Sequence, residues 1–491
     1  MVLAQTRTPY QVTFLMLAAG VSAYALLQSL VSPVLPLLQT SLHTNQDTVT
    51  WVLTAYLLSA SVCVPILGRL GDMVGKKKII VLVLVALTLG SLLAALATSI
   101  GLMIVARAIQ GFGGGLIPLS FGIIRDEVPH EKVPGTVGAL AALLAVGGGL
   151  GLVLAGPIVH ALDYHWLFWI PGVVVAAAAI GTHLVIPESP VRTPGRINWP
   201  AAALLSGWLI ALLVAVSEAP VWGWGSVAVI GLLVAAVVLA LLWVGVELRS
   251  TQPLIDMRMM RAPAVWTTNL VALLFGIGLY SIFAFLPGFL QTPSSAGYGF
   301  GADTTESGLI VLPMTVAMFL LGVLSGPLSA RFGAKFVLVS GSAISVVPCL
   351  ILTFAHTAIW EILLAMVLLG AGFGLAFSAM SSIIVDAVPT TQTGVASGMN
   401  ANIRTIGGAV GAAAMASIVT ARLLPSGLPV ESGYTAGFAM LSGSMVLAAA
   451  AGLLIPRLHT LRDAHQREQA ALTHPEAALV AGGTLVGDES E

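Results

Sequence analysis

Charge is the scarcest commodity in this sequence. Only 8% of its 491 residues are Asp, Glu, Lys or Arg, against roughly 25% in ordinary soluble domains. A water-facing surface cannot be built from so few charges, so most of the surface must face lipid. The two cysteines, Cys63 and Cys349, sit singly inside apolar runs. That excludes a disulfide framework or a zinc spacing, and both read as small buried hydrophobes. The glycines at 111–115 are not followed by Gly-Lys-Ser/Thr and lie in a helical context, so they read as close helix packing rather than a phosphate loop. Carboxylates are missing from the middle of every apolar run, since Glu218, Glu247, Glu306 and Glu361 all fall near predicted ends. No cofactor, metal or nucleic acid is expected.

What is abundant is hydrophobicity, at 57% of residues. A helix needs about 20 apolar residues to cross the hydrocarbon core, and fourteen runs qualify. The first six lie near 13–38, 49–68, 79–98, 101–123, 134–160 and 165–186, and two more near 199–217 and 225–246. The last six lie near 265–290, 304–328, 336–354, 358–384, 394–421 and 434–455. The run after Arg7 is too long for a signal-peptide core and is read as a retained first span. Of the twenty Lys and Arg, all but Arg107, Arg404 and Arg422 then fall on one side, which the positive-inside rule makes cytoplasmic, with both termini.

The sequence also repeats. Gly68–Lys77, GRLGDMVGKK, returns as Gly326–Lys335, GPLSARFGAK, at an offset of 258 residues. Gly111, Gly113, Gly115 and Leu116 match Gly370, Gly372, Gly374 and Leu375, and Ile123–Pro129 matches Ile383–Pro389. Spans one to six therefore correspond to spans nine to fourteen, as duplication would give. The expected organisation is an amino-terminal segment 1–12, a six-helix bundle 13–186, linkers with two inserted helices 187–264, a second six-helix bundle 265–456 and a disordered cytoplasmic tail 457–491. This is an all-α polytopic membrane protein, and two related halves suit a transporter with a midplane site between them.

With these features in place the chain resembles the major facilitator superfamily, and more narrowly its fourteen-span drug/proton antiporter branch. Gly68, Leu70, Asp72, Gly75, Lys76 and Lys77 match the signature G-x-L-x-D-x-x-G-[RK]-[RK]. Trp51–Tyr56 is similar to the start of that branch's second span, and Asn402–Gly408 to a signature of its thirteenth. The resemblance implies a cytoplasmic latch built from Gly68, Arg69, Asp72, Gly75, Lys76 and Lys77. It also implies a coupling role for Arg107 in the fourth span. Two departures stand out. Gly156-Pro157 matches only the core of the antiporter motif G-P-x-x-G-G, because His160-Ala161 replaces the final glycines. Anchoring the first span on Leu35-Pro36 puts Leu27 where the branch usually carries an aspartate.

The residues themselves add detail. Asp72 can bond the open N–H groups of a helix start and its positive dipole end. A charge such as Arg107 costs about 2.5–3.5 kcal/mol at helix centre, so it faces a cavity, a partner or the interface by snorkelling. Gly147 and Gly151 recur every fourth residue with Ala155, a small-residue stripe for close helix approach that continues to Gly156 and Pro157. Asp303, Glu306 and His160 are the titratable candidates for a proton path. Gln28, Ser32, Tyr56, Asn269, Tyr280, Met314, Asn402 and Arg404 are the candidate lining of a substrate cavity. The expected activity is secondary export, by alternating access, of lipophilic or cationic drug-like compounds coupled to protons, by a monomer in the plasma membrane. The alternative is export of one endogenous metabolite with atypical or no proton coupling. A membrane receptor or enzyme is the remote alternative, for no catalytic constellation or extended soluble domain is visible.

Overall fold

The computed structural model describes residues 9–44, 46–188, 197–251, 253–389 and 392–456. The expected tail 457–491 with Arg457, Arg462 and Arg467, the start of the chain with Arg7, and the linker arginines Arg192 and Arg196 lie outside the described residues.

A backbone crossing lipid must satisfy its polar groups within its own segment, and helices do so. The described chain accordingly carries fourteen helices long and apolar enough to span a membrane. The first six are Tyr10–Val34, Trp51–Val74, Lys76–Ala95, Ile100–Glu127, Gly135–Ala161 and Trp166–Val185. The seventh and eighth are Trp199–Trp222 and Val227–Arg249. The last six are Pro263–Gln291, Thr305–Phe332, Ala334–Phe354, Ile359–Ala387, Thr393–Val419 and Glu431–Leu453. Among the described residues the extended structure is a single isolated bridge, Leu423 with Pro429.

One apolar core gathers residues from Leu17 to Ile186, joined by Val385. A second gathers Ala264 to Ile455. These are two six-helix bundles. The seventh and eighth spans pack on each other, with Trp208 and Trp243 ring centres 6.0 Å apart, and their core includes Val395, Ala396 and Met399 of the thirteenth span. The eighth span leaves Val234, Val237 and Leu241 bare, a surface fit for hydrocarbon. Trp166, Trp199, Trp222 and Trp360 are exposed at span ends, the level at which an indole suits the lipid headgroups.

The repeated hinge is more helical than the run bounds 49–68 and 79–98 imply. The helix of the second span continues through Arg69 and Asp72 to Val74, and the next begins at Lys76. Gly75 alone breaks the helix, at φ 129°, and its counterpart Gly333 does the same at φ 88°. Both lie in a region that side chains disfavour, so glycine is the residue these tight turns need. Polar residues did not end the helix because helicity at the membrane surface does not require hydrophobicity. Gly71 is helical, and a side chain there would strike Leu119.

Glu247 ends near the predicted boundary but is 3% exposed. Its carboxylate accepts from Leu254 N (2.9 Å), Ile255 N (3.2 Å) and Trp243 Nε1 (3.3 Å). It thus folds the linker back onto the eighth span.

Candidate functional site

A cavity of about 310 Å³ lies where the first, second, fourth and fifth spans meet the ninth, tenth, twelfth and thirteenth. That size falls at the lower end of small-molecule sites. Of the expected lining residues, Gln28, Ser32, Tyr56, Tyr280, Asn402 and Arg404 face it, and so does Arg107.

The polar groups are arranged in two sets. In the first half, Arg107 is fully buried. It donates from Nε to Val52 O (3.1 Å) and from Nη1 to Leu27 O (3.1 Å) and Gln110 Oε1 (2.8 Å). Its guanidinium carbon lies 4.3 Å from the centre of the Tyr56 ring, which in turn stacks on Tyr24 at 6.1 Å. The carbonyl of Leu27, where the related branch usually carries an aspartate, is therefore an acceptor for this arginine. In the second half, Arg404 sits over Phe377 at 5.0 Å. A hydrogen bond from Gln28 Nε2 to Tyr280 Oη, 3.3 Å, joins the halves across the cavity.

Two expected lining residues stand elsewhere. Asn269 is buried behind the wall and accepts from Asn400 Nδ2 at 2.9 Å, while Asn400 itself lines the cavity. Met314 is fully buried, its backbone close to Gly370, and Met318, one turn on, lines the cavity. The apolar wall is completed by Phe283 and Phe377.

Local backbone explains the shape of the floor. Gly111–Gly115 is a 3-10 segment inside the fourth span, a mid-helix irregularity often found at moving parts. A side chain at Gly114 would meet Val64, and one at Gly115 would meet Leu67. In the fifth span, a Cβ on Gly147 would come 2.6 Å from Ala25 Cβ, and one on Gly151 3.0 Å from Leu30 N. The stripe of small residues thus lies along the first span, and Ser29 Oγ donates to Gly147 O at 3.3 Å. Gly156, just before Pro157, faces Thr305 of the tenth span instead.

The hinge end is closed by contacts between the halves. Gly68 meets the backbone of Gly394, and Asp72, 2% exposed, faces the start of the thirteenth span beside Gly394 and Val395. Arg125 reaches from the fourth span to Val388 O (2.9 Å) and Thr393 Oγ1 (2.6 Å). Lys76 Nζ pairs with Asp126 Oδ2 at 2.6 Å, the two side chains 1% and 2% exposed. Lys77 contributes its backbone N–H to Glu188 at 3.2 Å, and Arg69 is half-buried next to this cluster in sequence. From the sequence, Arg125 counts only among the basic residues of the cytoplasmic side. Its place in the repeated Ile-Ile-x-Asp segment, beside Asp126, was the signal that it does more.

The titratable candidates lie apart from the cavity. Asp303 and Glu306 form a reciprocal capping box on the tenth span: Glu306 N donates to Asp303 Oδ1 at 2.7 Å and Asp303 N to Glu306 Oε2 at 3.0 Å. His160 is exposed at the end of the fifth span.

Comparison with known proteins agrees with this geometry. The model of the Major Facilitator Superfamily matches residues 17–412 and 293–485. The tetracenomycin C resistance and export protein of Streptomyces glaucescens is 27% identical over 410 residues, covering 82% of this chain and 74% of its own. Multidrug resistance protein 3 of Bacillus subtilis is 27% identical over 373 residues, covering 74% and 71%. An uncharacterised transporter of Mycobacterium tuberculosis is 29% identical over 416 residues, covering 82% of this chain, which spans only 58% of that relative's length. Among solved structures, the human organic anion transporter MFSD10 superposes with a TM-score of 0.67 at 17% identity, over 91% of this chain and all of the other. That last likeness concerns the fold alone. With a family match running through both bundles, the chain belongs to the Major Facilitator Superfamily, a family of membrane transporters rather than enzymes.

Proposed function

We propose that this protein is a secondary active exporter of lipophilic drug-like compounds, working by alternating access in the plasma membrane with proton influx as the driving force. The observation that carries this reading is the central cavity. It is shared by both bundles, walled by aromatic and Met side chains, and shut at the hinge end by Asp72, Arg125 and Gly68 against Val388, Thr393, Gly394 and Val395. Rocking the halves about such a site exposes it to each side in turn. The export and multidrug-resistance relatives support the direction and the cargo. In this reading the hinge end is cytoplasmic, because Lys76, Lys77, Lys78, Arg125 and Lys132 gather there. The termini lie on the same side and the monomer is the working unit.

Of the two cargo classes expected from sequence, the lining favours the lipophilic over the cationic. It carries Arg107 and Arg404 and, among the described residues, no carboxylate to offset a positive cargo. The same observation favours a second reading, export of a single endogenous metabolite without proton coupling. Inverted membrane vesicles loaded with a pH-sensitive dye separate the two. A candidate cargo that releases protons from energised vesicles supports antiport. Cargo uptake with no proton movement sinks the antiport claim and supports the second reading.

A further inference from the structure

The central cavity holds an imbalance of charge that lipophilic cargo alone leaves unanswered. Arg107 and Arg404 both line it, and among its described lining residues there is no aspartate, glutamate, lysine or histidine. The acceptors around Arg107 are two backbone carbonyls and an amide oxygen, and its Nη2 is left without a partner. Arg404 is half-buried over Phe377. Among the described residues nothing accepts a hydrogen bond from its guanidinium. On the same span Asn402, 2% exposed, has both amide atoms unpaired. Guanidiniums at membrane depth are costly without a counter-charge, and such residues normally pair with one another's opposites or with a ligand.

We propose that the cavity takes a lipophilic organic monoanion, an apolar body bearing one carboxylate or comparable acid, whose oxygens pair with Arg404. This deepens, and rests on, the reading of the cavity as the cargo site. Arg404 lies over the Phe377 ring, and the N–H edge of a guanidinium binds carboxylates through two parallel bonds. The Gln28–Tyr280 pair and the Asn402 amide add neutral donors, while Phe283 and Met318 receive the apolar body. Arg107, held rigidly behind Tyr56, adds a fixed positive field. An inside-negative membrane potential favours outward movement of an anion, which adds to the proton influx proposed as the driving force.

The test uses the full chain in nanodiscs, with empty nanodiscs subtracted, and calorimetric titration of three matched probes: 2-naphthoate, 2-naphthamide and 2-naphthylmethylammonium. Wild type is expected to bind the naphthoate at least tenfold more tightly than the amide, with the ammonium weakest. Arg404→Gln is expected to weaken naphthoate binding tenfold or more, about 1.4 kcal/mol, while the amide changes less than twofold. Arg404→Lys restores most of the anion preference. If the Gln variant also loses the amide, the Lys variant decides: retained preference supports the proposal and lost preference overturns it. Amide or ammonium binding as tight as naphthoate, or naphthoate binding indifferent to Arg404→Gln, overturns the anion assignment and leaves the cavity as the cargo site. Failure of all three probes to bind wild type overturns both.

Discussion

Adjacent glycines in the fifth span should give opposite phenotypes, and Gly148→Phe is the sharper of the two. Gly148 lines the cavity, and a Cβ placed on it meets no atom within 4 Å. A benzyl group displaces on the order of four waters at about 30 Å³ each, roughly 120 Å³. That is more than a third of the 310 Å³ available. The substitution also removes a helix-interior glycine, worth a few tenths of a kcal/mol in favour of the folded state. Gly147 points the other way, with Ala25 Cβ at 2.6 Å and Ser22 O at 2.9 Å from a modest Cβ. There even alanine forces the first and fifth spans apart, at a cost of about 1–3 kcal/mol. The assay pairs a resistance and dye-efflux panel with thermal unfolding in detergent. Gly148→Phe should keep its melting temperature and lose efflux of every bulky dye, while Gly147→Ala melts early. Normal efflux by a well-folded Gly148→Phe protein would refute the placement of cargo in this cavity.

Further substitutions probe the hinge end and the capping box. Lys76→Met should destabilise by about 3–5 kcal/mol, because it strips the close partner from a buried carboxylate. Combined with Asp126→Leu the loss should shrink markedly, and strictly additive losses in that cycle would show that the pair does not interact. Asp72→Asn should loosen closure, since a carboxylate facing a helix start is worth roughly 0.3–1 kcal/mol. The readout is faster alkylation of a Ser397→Cys reporter in the cavity, and an unchanged rate would argue against a latch. Asp303→Ala should cost about 1 kcal/mol through its lost cap, whereas Asp303→Asn keeps the cap and should keep transport. Loss of proton-linked transport in the Asn variant alone would return Asp303 to the coupling path.

Hydrophobic run length made the spans legible, because lipid imposes one rule on every crossing segment. Repetition made the hinge legible, and Gly75 and Gly333 adopt matching turns 258 residues apart. Arg107 announced itself by its charge in an apolar run. Rotation of one helix against another did not announce itself: Met314 and Met318 share a helical face, and only Met318 reaches the cavity. Asn269 read as cavity lining for the same reason, whereas its bond to Asn400 ties the ninth span to the thirteenth. Arg125 lies beside a predicted span end, where an anchor and an inter-bundle clamp have the same sequence signature. Asp303 and Glu306 carried a legible local signal, an acid three residues before a glutamate at a helix start.

Alternating access requires the halves to separate at the hinge end for cargo to move. Arg125→Cys with Thr393→Cys, in a background with Cys63→Ser and Cys349→Ser, places two thiols across the contact that Arg125 now bridges. Bridging them with a short bifunctional thiosulfonate in proteoliposomes should stop transport, and reduction should restore it. Transport at the uncrosslinked rate with the bridge in place would contradict alternating access in this protein.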